Sequence, residues 1–464
     1  MDRYRTIISA VLAALSYQYF WPGIFICLIP MISYQWKKST LFIWGLTYMA
    51  CNHLFLLNLY DDTIPVIAVF LWLLTSLYFS LFYGVSGLLI YKLKKVRRFN
   101  LFILLPIIWP VMEWLKTIGE FGNPNGNFGY ALSNIAHLIP AYSILGNIGL
   151  GCLIICLNIL LYQLATSSKK KSVIISIFII TMMLFTLPSQ SKVNSQSVNV
   201  SIIQSNIPQH KKLNRNHWPE LKIYYLEVIK KSTGSLVILP ETIIPTDFRQ
   251  TSFFNDIQTI SNNNSQYFLI GGFIRDSGFF NGSYFIQPNK APILYKKQRL
   301  MPFGESLPFR KIVNKFVPRH LLFNDFDKGT ELTDIPFNTT FIQPIICLEG
   351  IYSHFYKSNG IVAILANNAW FNHSSAGARL RKFAMVHAAE HKAPVLLAAN
   401  YGESTIINTS GQMVKLAKTN KTAILTSTIS ANNTITFYEK WPYLGLLLIL
   451  ILWWLYQRKN QSLQ

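Results

Sequence analysis

Cys347 ends an apolar run, Pro344-Ile345-Ile346-Cys347, and is followed directly by Leu348-Glu349-Gly350. It is the only cysteine between Leu187 and Trp441. A long segment outside the cytoplasm offers it no disulfide partner, so chemistry or packing must account for it. A thiol nucleophile requires a carboxylate and an amine, and two segments supply them beside strand-like runs: Leu239-Pro240-Glu241-Thr242, and Lys297-Gln298-Arg299-Leu300-Met301-Pro302-Phe303-Gly304-Glu305. Glu241 follows an apolar strand and a proline, which sets its carboxylate at the strand's C-terminal end. Lys297 leads into a turn-forming sequence that closes on a second carboxylate, Glu305; a buried ammonium near a reacting carbonyl can stabilise an oxyanion, and a neighbouring carboxylate can hold it in place. The N–H of Leu348, directly after the thiol, is placed to point at the atom the sulfur attacks. Each residue also has a plainer reading: a solvated loop glutamate, a solvated basic face over 295–299, and a small buried hydrophobe at Cys347. Base, ammonium and thiol, each at a strand end or in the turn after one, together favour chemistry. The sequence shows no metal-ligand spacing, Gly-rich phosphate loop or haem motif, and its nine histidines are scattered. No metal and no Cys-His pair is therefore expected.

The rest of the chain must carry these residues at a membrane. Of 464 residues, 51% are hydrophobic and 13% charged, about half the ~25% charged content of a soluble globular protein. The mean hydropathy is +0.29. The net charge of +22 sits in short basic clusters beside apolar segments, where it orients a chain in a bilayer, so no nucleic-acid partner is expected. Cys27, Cys51, Cys152 and Cys156 all lie in the apolar segments and read as packing residues.

Apolar segments at 6–16, 20–34, 41–59, 64–91, 99–118, 138–165, 173–187 and 441–456 suggest eight spans, most of them near the ~20 residues needed to cross hydrocarbon. Basic residues alternate between their ends: Arg3 and Arg5, Lys37 and Lys38, the cluster from Lys92 to Arg98, Lys169 to Lys171, then Arg458 and Lys459. Those ends are expected in the cytoplasm, which puts the segment after the seventh span on the opposite face. The first span has no small-residue cleavage site before the next apolar run and does not read as a cleavable signal. The expected organisation is residues 1–188 as spans one to seven, 189–438 as an extracytoplasmic domain, and 439–464 as a last span with a cytoplasmic tail.

Within 189–438 the pattern shortens to β-rich runs at 198–204, 236–239, 267–270, 283–286, 341–347, 361–366, 395–399, 405–408 and 423–428, with helix-length stretches at 218–232 and 378–391. Strands alternating with helices imply an α/β domain large enough for its own core.

Taken in order, Asn206-Ile207-Pro208-Gln209, Pro240-Glu241-Thr242, Asn281-Gly282-Ser283, Lys297 through Glu305, Cys347-Leu348-Glu349, Asn367-Asn368-Ala369-Trp370-Phe371 and Asn400-Tyr401-Gly402 resemble the apolipoprotein N-acyltransferases. These are membrane enzymes with an external domain of the nitrilase, or carbon–nitrogen hydrolase, superfamily. Glu113-Trp114-Leu115-Lys116 and the loop from Gly122-Asn123-Pro124 to Gly129-Tyr130 resemble that family's fifth span and following loop. The resemblance implies an α-β-β-α sandwich on eight transmembrane helices, a Glu241-Lys297-Cys347 triad, and Glu305 and Glu349 as supporting carboxylates. It implies acyl transfer without a cofactor, from a membrane phospholipid through a Cys347 thioester to the α-amino group of a diacylglyceryl-cysteine lipoprotein, by a monomer in the bacterial inner membrane. Trp370, Phe371 and Leu348 would contact substrate; core packing is the other reading of Trp370-Phe371. Glu113 is costly in lipid and should face the bundle or a lipid-entry cavity.

Some positions depart from the family's pattern. Asn368 stands in place of Asp, Leu348 in place of an aromatic, and Leu213 near the place of a Trp. Leu380, His387 and Leu397 stand where His, Arg and Arg are expected. The missing groups are expected to have oriented lipid or protein acceptor, so the departures bear on substrate choice. Two other readings follow: a nitrilase-type amidase or acyltransferase with another acceptor, as in conjugal-transfer relatives, and a non-catalytic membrane scaffold.

Overall fold

Along β1 (Ser197–Gln204), Val198, Val200 and Ile202 point to one side and Ile203 to the other, and both sides are buried. A strand covered on both faces belongs inside a layered domain. The computed structural model describes residues 2–59, 65–95, 100–166, 170–186, 197–310, 315, 326–371, 374–431 and 434–462. Two units emerge: Met1–Gln190 with Ala389–His391 and Thr436–Gln464, and Ser191–Ala388 with Lys392–Ile435.

The second unit holds two six-stranded sheets. One has the order β12-β1-β2-β3-β4-β5, built from β2 (Leu236–Ile238), β3 (Tyr267–Arg275), β4 (Phe279–Gln287), β5 (Lys290–Lys296) and β12 (Ala423–Ser430) around β1. The other has the order β11-β10-β9-β8-β7-β6, from β6 (Ile335–Phe337), β7 (Thr340–Ile346), β8 (Ile361–Asn367), β9 (Val395–Asn400), β10 (Thr405–Ile407) and β11 (Met413–Leu416). In each, three parallel strands are flanked by antiparallel ones. Val200, Ile202, Leu236, Ile238 and Leu269 of the first sheet meet Ile342, Ala363, Leu365, Leu396 and Ala398 of the second in one buried cluster. Each large aliphatic side chain buried there contributes about 1.5–3 kcal/mol.

Val237, Leu239, Phe268 and Ile270 face the other way. They pack beneath Leu221, Tyr225 and Ile229 of helix Trp218–Lys230 and Phe253 and Ile257 of helix Ser252–Asn264. Beyond the second sheet lies helix Ala376–His391, whose Leu380 sits with Ile364 of β8 against Gly350. The layers are therefore α-β-β-α.

Three strands and two helices of this unit, Gln209–Leu213 and Ser252–Asn264, were not legible in the sequence pattern. β5 begins Lys-Ala-Pro, β6 contains Pro336 and β11 is exposed throughout. All three are edges of their sheets, where prolines and polar residues are tolerated because one side needs no partner. Helix Ser252–Asn264 is polar, carries only a narrow apolar stripe, and is started by the Thr251 hydroxyl accepting from the Phe254 N–H.

The first unit is helical. Among the described residues three helical segments, Thr40–Asn58, Pro65–Leu93 and Tyr142–Thr166, are long and apolar enough to cross a membrane, whereas Trp21–Ile32, Leu101–Leu115 and Leu444–Arg458 are apolar but shorter. Helix Pro65–Leu93 exposes Val66, Phe70, Leu73, Leu77, Leu81, Val85 and Leu88. Its inner side meets helix Thr40–Asn52 where Gly45 and Gly87 permit close approach: a Cβ at Gly45 would lie 2.6 Å from Tyr83, and one at Gly87 2.8 Å from Leu41. The apolar stretch expected at 138–165 opens instead with a 3-10 turn over Phe128–Leu138 and becomes helix only at Tyr142. Glu113 faces the bundle, fully buried, and accepts hydrogen bonds from Trp109 Nε1 (3.1 Å) and the Phe128 N–H (2.9 Å). The expected segment ends at 64, 99 and 187, the cations Arg97, Arg98 and Lys169, and the boundary at 188–189 lie outside the described residues.

Candidate active site

The residues singled out for chemistry converge because β1, β2, β7, β8 and β9 release their chains at the ends where parallel strands leave the sheet, where functional groups gather in α/β folds. β2 ends into Pro240-Glu241-Thr242, where Thr242 takes φ 47°, a left-handed conformation costly for a β-branched residue. The turn swings the Glu241 main chain against Gly271, where a Cβ would stand 2.6 Å from Glu241 Cα. β5 delivers Lys297, whose N–H donates to Asn281 O (2.9 Å) on the neighbouring strand β4. β7 delivers Cys347 at φ 51°, the first residue of the 3-10 turn Cys347–Ile351.

Lys297 is 1% exposed and Glu241 6% exposed. The Lys297 ammonium lies 3.3 Å from Glu241 Oε1 and 2.8 Å from Glu305 Oε1. Asn281 Nδ2 spans the same two oxygens, at 2.8 Å to Glu241 and 2.6 Å to Glu305. Glu305 Oε2 accepts the Met301 N–H (2.7 Å), which closes its own turn. Two carboxylates thus share one ammonium and one amide. Burial disfavours the charged lysine, but the Glu241 and Glu305 carboxylates outweigh it and hold the ammonium above the usual lysine range.

Cys347 keeps some exposure, yet its surroundings are densely packed, and burial pushes the thiol up, with Glu241 adding to the rise and Lys297 opposing it. A thiol held this way rests neutral, and would need a base before its sulfur could attack. Glu349 is fully buried and accepts three main-chain hydrogen bonds: from Gln298 (2.6 Å) and Arg299 (3.1 Å) beside Lys297, and from Ile346 (2.7 Å) beside Cys347. One carboxylate thereby ties the lysine loop to the thiol turn, capping that turn from its third position.

Three of the motifs that drew attention in the sequence meet through buried amides. Asn400 Oδ1 accepts from Ser205 Oγ and the Ile207 N–H, both at 2.8 Å, and Asn400 Nδ2 donates to Ile207 O and Asn367 Oδ1, both at 3.0 Å. Asn367 Nδ2 donates in turn to Gln209 Oε1 (3.0 Å). Among the sequence-selected contact residues, Leu348 is half-buried beside the thiol and Trp370 is 46% exposed in the turn after β8, with Phe371 next to it. Phe303 and Phe309 are exposed in the loop that carries Glu305.

The departures from the family pattern fall into two groups. Asn368 donates to Tyr401 O (3.2 Å), securing a left-handed turn in a way a carboxylate cannot. Leu380, His387 and Leu397 are buried packing positions. Leu380 sits against Gly350 and Ile364; His387 Nε2 donates to Ile351 O (3.2 Å); Leu397 lies on the face of β9 turned away from the inter-sheet core. The side chains present at these three positions serve packing between helix and sheet.

Sequence reasoning missed Asn281 as a site residue, although its motif was noted, and missed Lys212 altogether. Lys212 is 1% exposed and donates to the main-chain oxygen of Glu241 (3.1 Å). It hid in a basic pair, Lys211-Lys212, that reads as solvated surface. Among the described residues no group of three or more His, Cys, Asp or Glu is arranged to hold a metal ion.

Residues 9–160 match the model of the apolipoprotein N-acyltransferase N-terminal domain, and residues 199–438 match that of carbon-nitrogen hydrolase. An apolipoprotein N-acyltransferase of Aquifex aeolicus is 29% identical over 89% of this chain and 96% of its own length. Those of Photobacterium profundum and Coxiella burnetii are 25% and 26% identical, over 88% and 91% of this chain and 84% and 91% of theirs. With both models matched in tandem and a nitrilase-type sandwich carrying thiol, carboxylate and ammonium, the chain belongs to the apolipoprotein N-acyltransferase family of carbon–nitrogen hydrolases.

Proposed function

We propose that this enzyme transfers a fatty acyl chain from a membrane phospholipid, through a thioester on Cys347, to the α-amino group of a diacylglyceryl-cysteine at the N-terminus of an apolipoprotein. The observation that carries the reading is the Lys297 ammonium held between Glu241 and Glu305, on a loop that Glu349 ties to the Cys347 turn. As the sulfur attacks the phospholipid ester carbon, Glu241 takes the thiol proton, while the Lys297 ammonium and the Leu348 N–H stabilise the oxyanion. Collapse breaks the ester C–O bond, and Glu241 returns the proton to the departing lysophospholipid oxygen. The acceptor amine then attacks the thioester, Glu241 accepts its proton, and as the C–S bond breaks Glu241 passes that proton to the departing sulfur, restoring the thiol and the carboxylate. Glu305 and Glu349 hold the lysine and the thiol turn in register, and Trp370, Phe371 and Leu348 contact the lipid. The thioester keeps the acyl group activated, so the cycle calls for no cofactor.

The chain works as a monomer in the bacterial inner membrane. It crosses eight times: residues 1–188 carry seven spans, 439–464 carry the last span and a cytoplasmic tail, and 189–438 form the catalytic domain on the extracytoplasmic face. The alternating basic clusters and the exposed apolar face of helix Pro65–Leu93 support this topology.

The test is intact-mass analysis of the purified full-length protein in phosphatidylethanolamine vesicles. A hydroxylamine-sensitive acyl adduct mapped to Cys347, absent in Cys347→Ala and Glu241→Gln and discharged by a lipopeptide with a free α-amino group, is expected. Absence of any adduct under turnover conditions, or transfer undiminished in Cys347→Ala, overturns the reading.

A further inference from the structure

The Glu241 turn leaves one main-chain group outside the sheet. Pairing of β2 with β3 ends at Ile238 and Leu269; Leu239 still donates to Leu269 O (2.9 Å) and Ile243 to Gly271 O (3.1 Å), but the Glu241 carbonyl has turned out of the ladder. A buried carbonyl without a partner is unfavourable. The partner supplied here is the ammonium of Lys212, 3.1 Å away and almost wholly buried. Lys212 rides on the short helix Gln209–Leu213, fixed at both ends: Asn367 Nδ2 donates to Gln209 Oε1 (3.0 Å), and Trp218 Nε1 donates to the Lys212 carbonyl (3.0 Å). Putting a cation in such a place is costly. Burial pushes it down to about 7, with the Glu241 carboxylate opposing the fall. A lysine amine buried this deeply against the turn that carries Glu241 calls for an explanation beyond packing.

Resting on the reading of Glu241 as the base, we infer that Lys212 is a positioning residue for acyl transfer: its ammonium grips the main chain of Glu241 and so fixes the carboxylate that receives the Cys347 proton. Glu241 is then clamped from two sides, by Lys212 at its carbonyl and by Lys297 with Asn281 at its carboxylate. Lys212 touches neither thiol nor substrate in this scheme; it acts through Glu241 alone.

The experiment compares Lys212→Met, Lys212→Gln and Lys212→Arg with Glu241→Gln in the full-length protein, measuring single-turnover acylation of Cys347 from phosphatidylethanolamine, donor KM and melting temperature. Loosening the base by a fraction of an ångström is expected to cost Lys212→Met and Lys212→Gln about 100-fold in the acylation rate. Donor KM should stay within about twofold, since the residue does not bind donor. Lys212→Arg, which keeps a charged donor, should recover most of the rate. Should Lys212→Met fail to fold, Lys212→Gln assayed below its own melting temperature gives the same comparison. Rates unchanged per folded molecule in the Met or Gln variant, or a loss confined to KM, overturn the inference. A fully active Glu241→Gln variant instead overturns the assignment of the base, so the two failures are distinguishable.

Discussion

Replacing Glu349 by Gln should make the protein relatively more stable above neutral pH while making it a poorer enzyme. The Glu349 carboxyl is fully buried, and burial outweighs the Lys297 ammonium and three N–H donors, raising it from 4.5 to about 7. Because the folded-state value is the higher one, the native state binds more protons than the unfolded chain between these two pH values. The stability contributed by the protonated carboxyl is therefore present below pH 4.5 and is lost as pH rises through about 7. The displacement corresponds to about 3 kcal/mol. Gln stays neutral throughout, and the misfit of its amide N–H2 against the donors Gln298, Arg299 and Ile346 adds a cost that does not change with pH. The difference in unfolding free energy between Glu349→Gln and the parent should thus move by about 3 kcal/mol in favour of the variant from pH 4.5 to about pH 8. Paired denaturation series in detergent micelles at several pH values measure it. In the same preparations Cys347 acylation should fall about 100-fold, because the carboxylate no longer ties the Lys297 loop to the thiol turn. A difference that is flat with pH, or that moves the other way, refutes the reasoning: it would mean the three N–H donors dominate burial and keep the carboxylate ionised.

Other perturbations reach the same site from different directions. Lys297→Met removes the only cation within hydrogen-bond reach of Glu241 Oε1 and Glu305 Oε1 among the described residues; single-turnover acylation should drop about 100- to 1000-fold, with about 3–5 kcal/mol lost in a denaturation curve. Gly271→Ala places a Cβ 2.6 Å from Glu241 Cα and Pro240 O, so the Glu241 turn must shift: about 1–3 kcal/mol in stability and at least about tenfold in acylation rate are expected, with donor KM little changed. Asn400→Leu deletes four buried hydrogen bonds joining Ser205, Ile207 and Asn367, and thermal melting should show a loss of about 3 kcal/mol or more.

Much of this protein was legible before any coordinates. Low charge and long apolar runs identify helices that expose leucine and valine, and short β-rich runs identify nine of the strands, because burial leaves its mark on residue order. Glu241, Lys297, Glu305 and Cys347 could be selected because each sits at a strand end or in a turn after one, with a chemical type suited to acyl transfer; Glu349 was pointed to by the family resemblance alone. The edge strands β5, β6 and β11 escaped because an edge is half solvated and tolerates Pro336 or Lys290. Lys212 escaped because a lysine beside another lysine looks like surface; only the outward turn of the Glu241 carbonyl makes it a buried partner.

Chemical type, strand-end position and membrane character are properties of short stretches, and the amino-acid order alone determined them. Which groups touch was decided by the fold. Glu241 and Glu305 are 64 positions apart along the chain yet share Lys297 and Asn281, because the sheet order β2-β3-β4-β5 carries all four to one end of one sheet. Likewise, Leu380, His387 and Leu397 became packing residues once helix Ala376–His391 closed over β8 and β9. A pattern of burial specifies the face on which a residue lies; its partner across that face is set by sheet order and register, which arise only when distant segments pack.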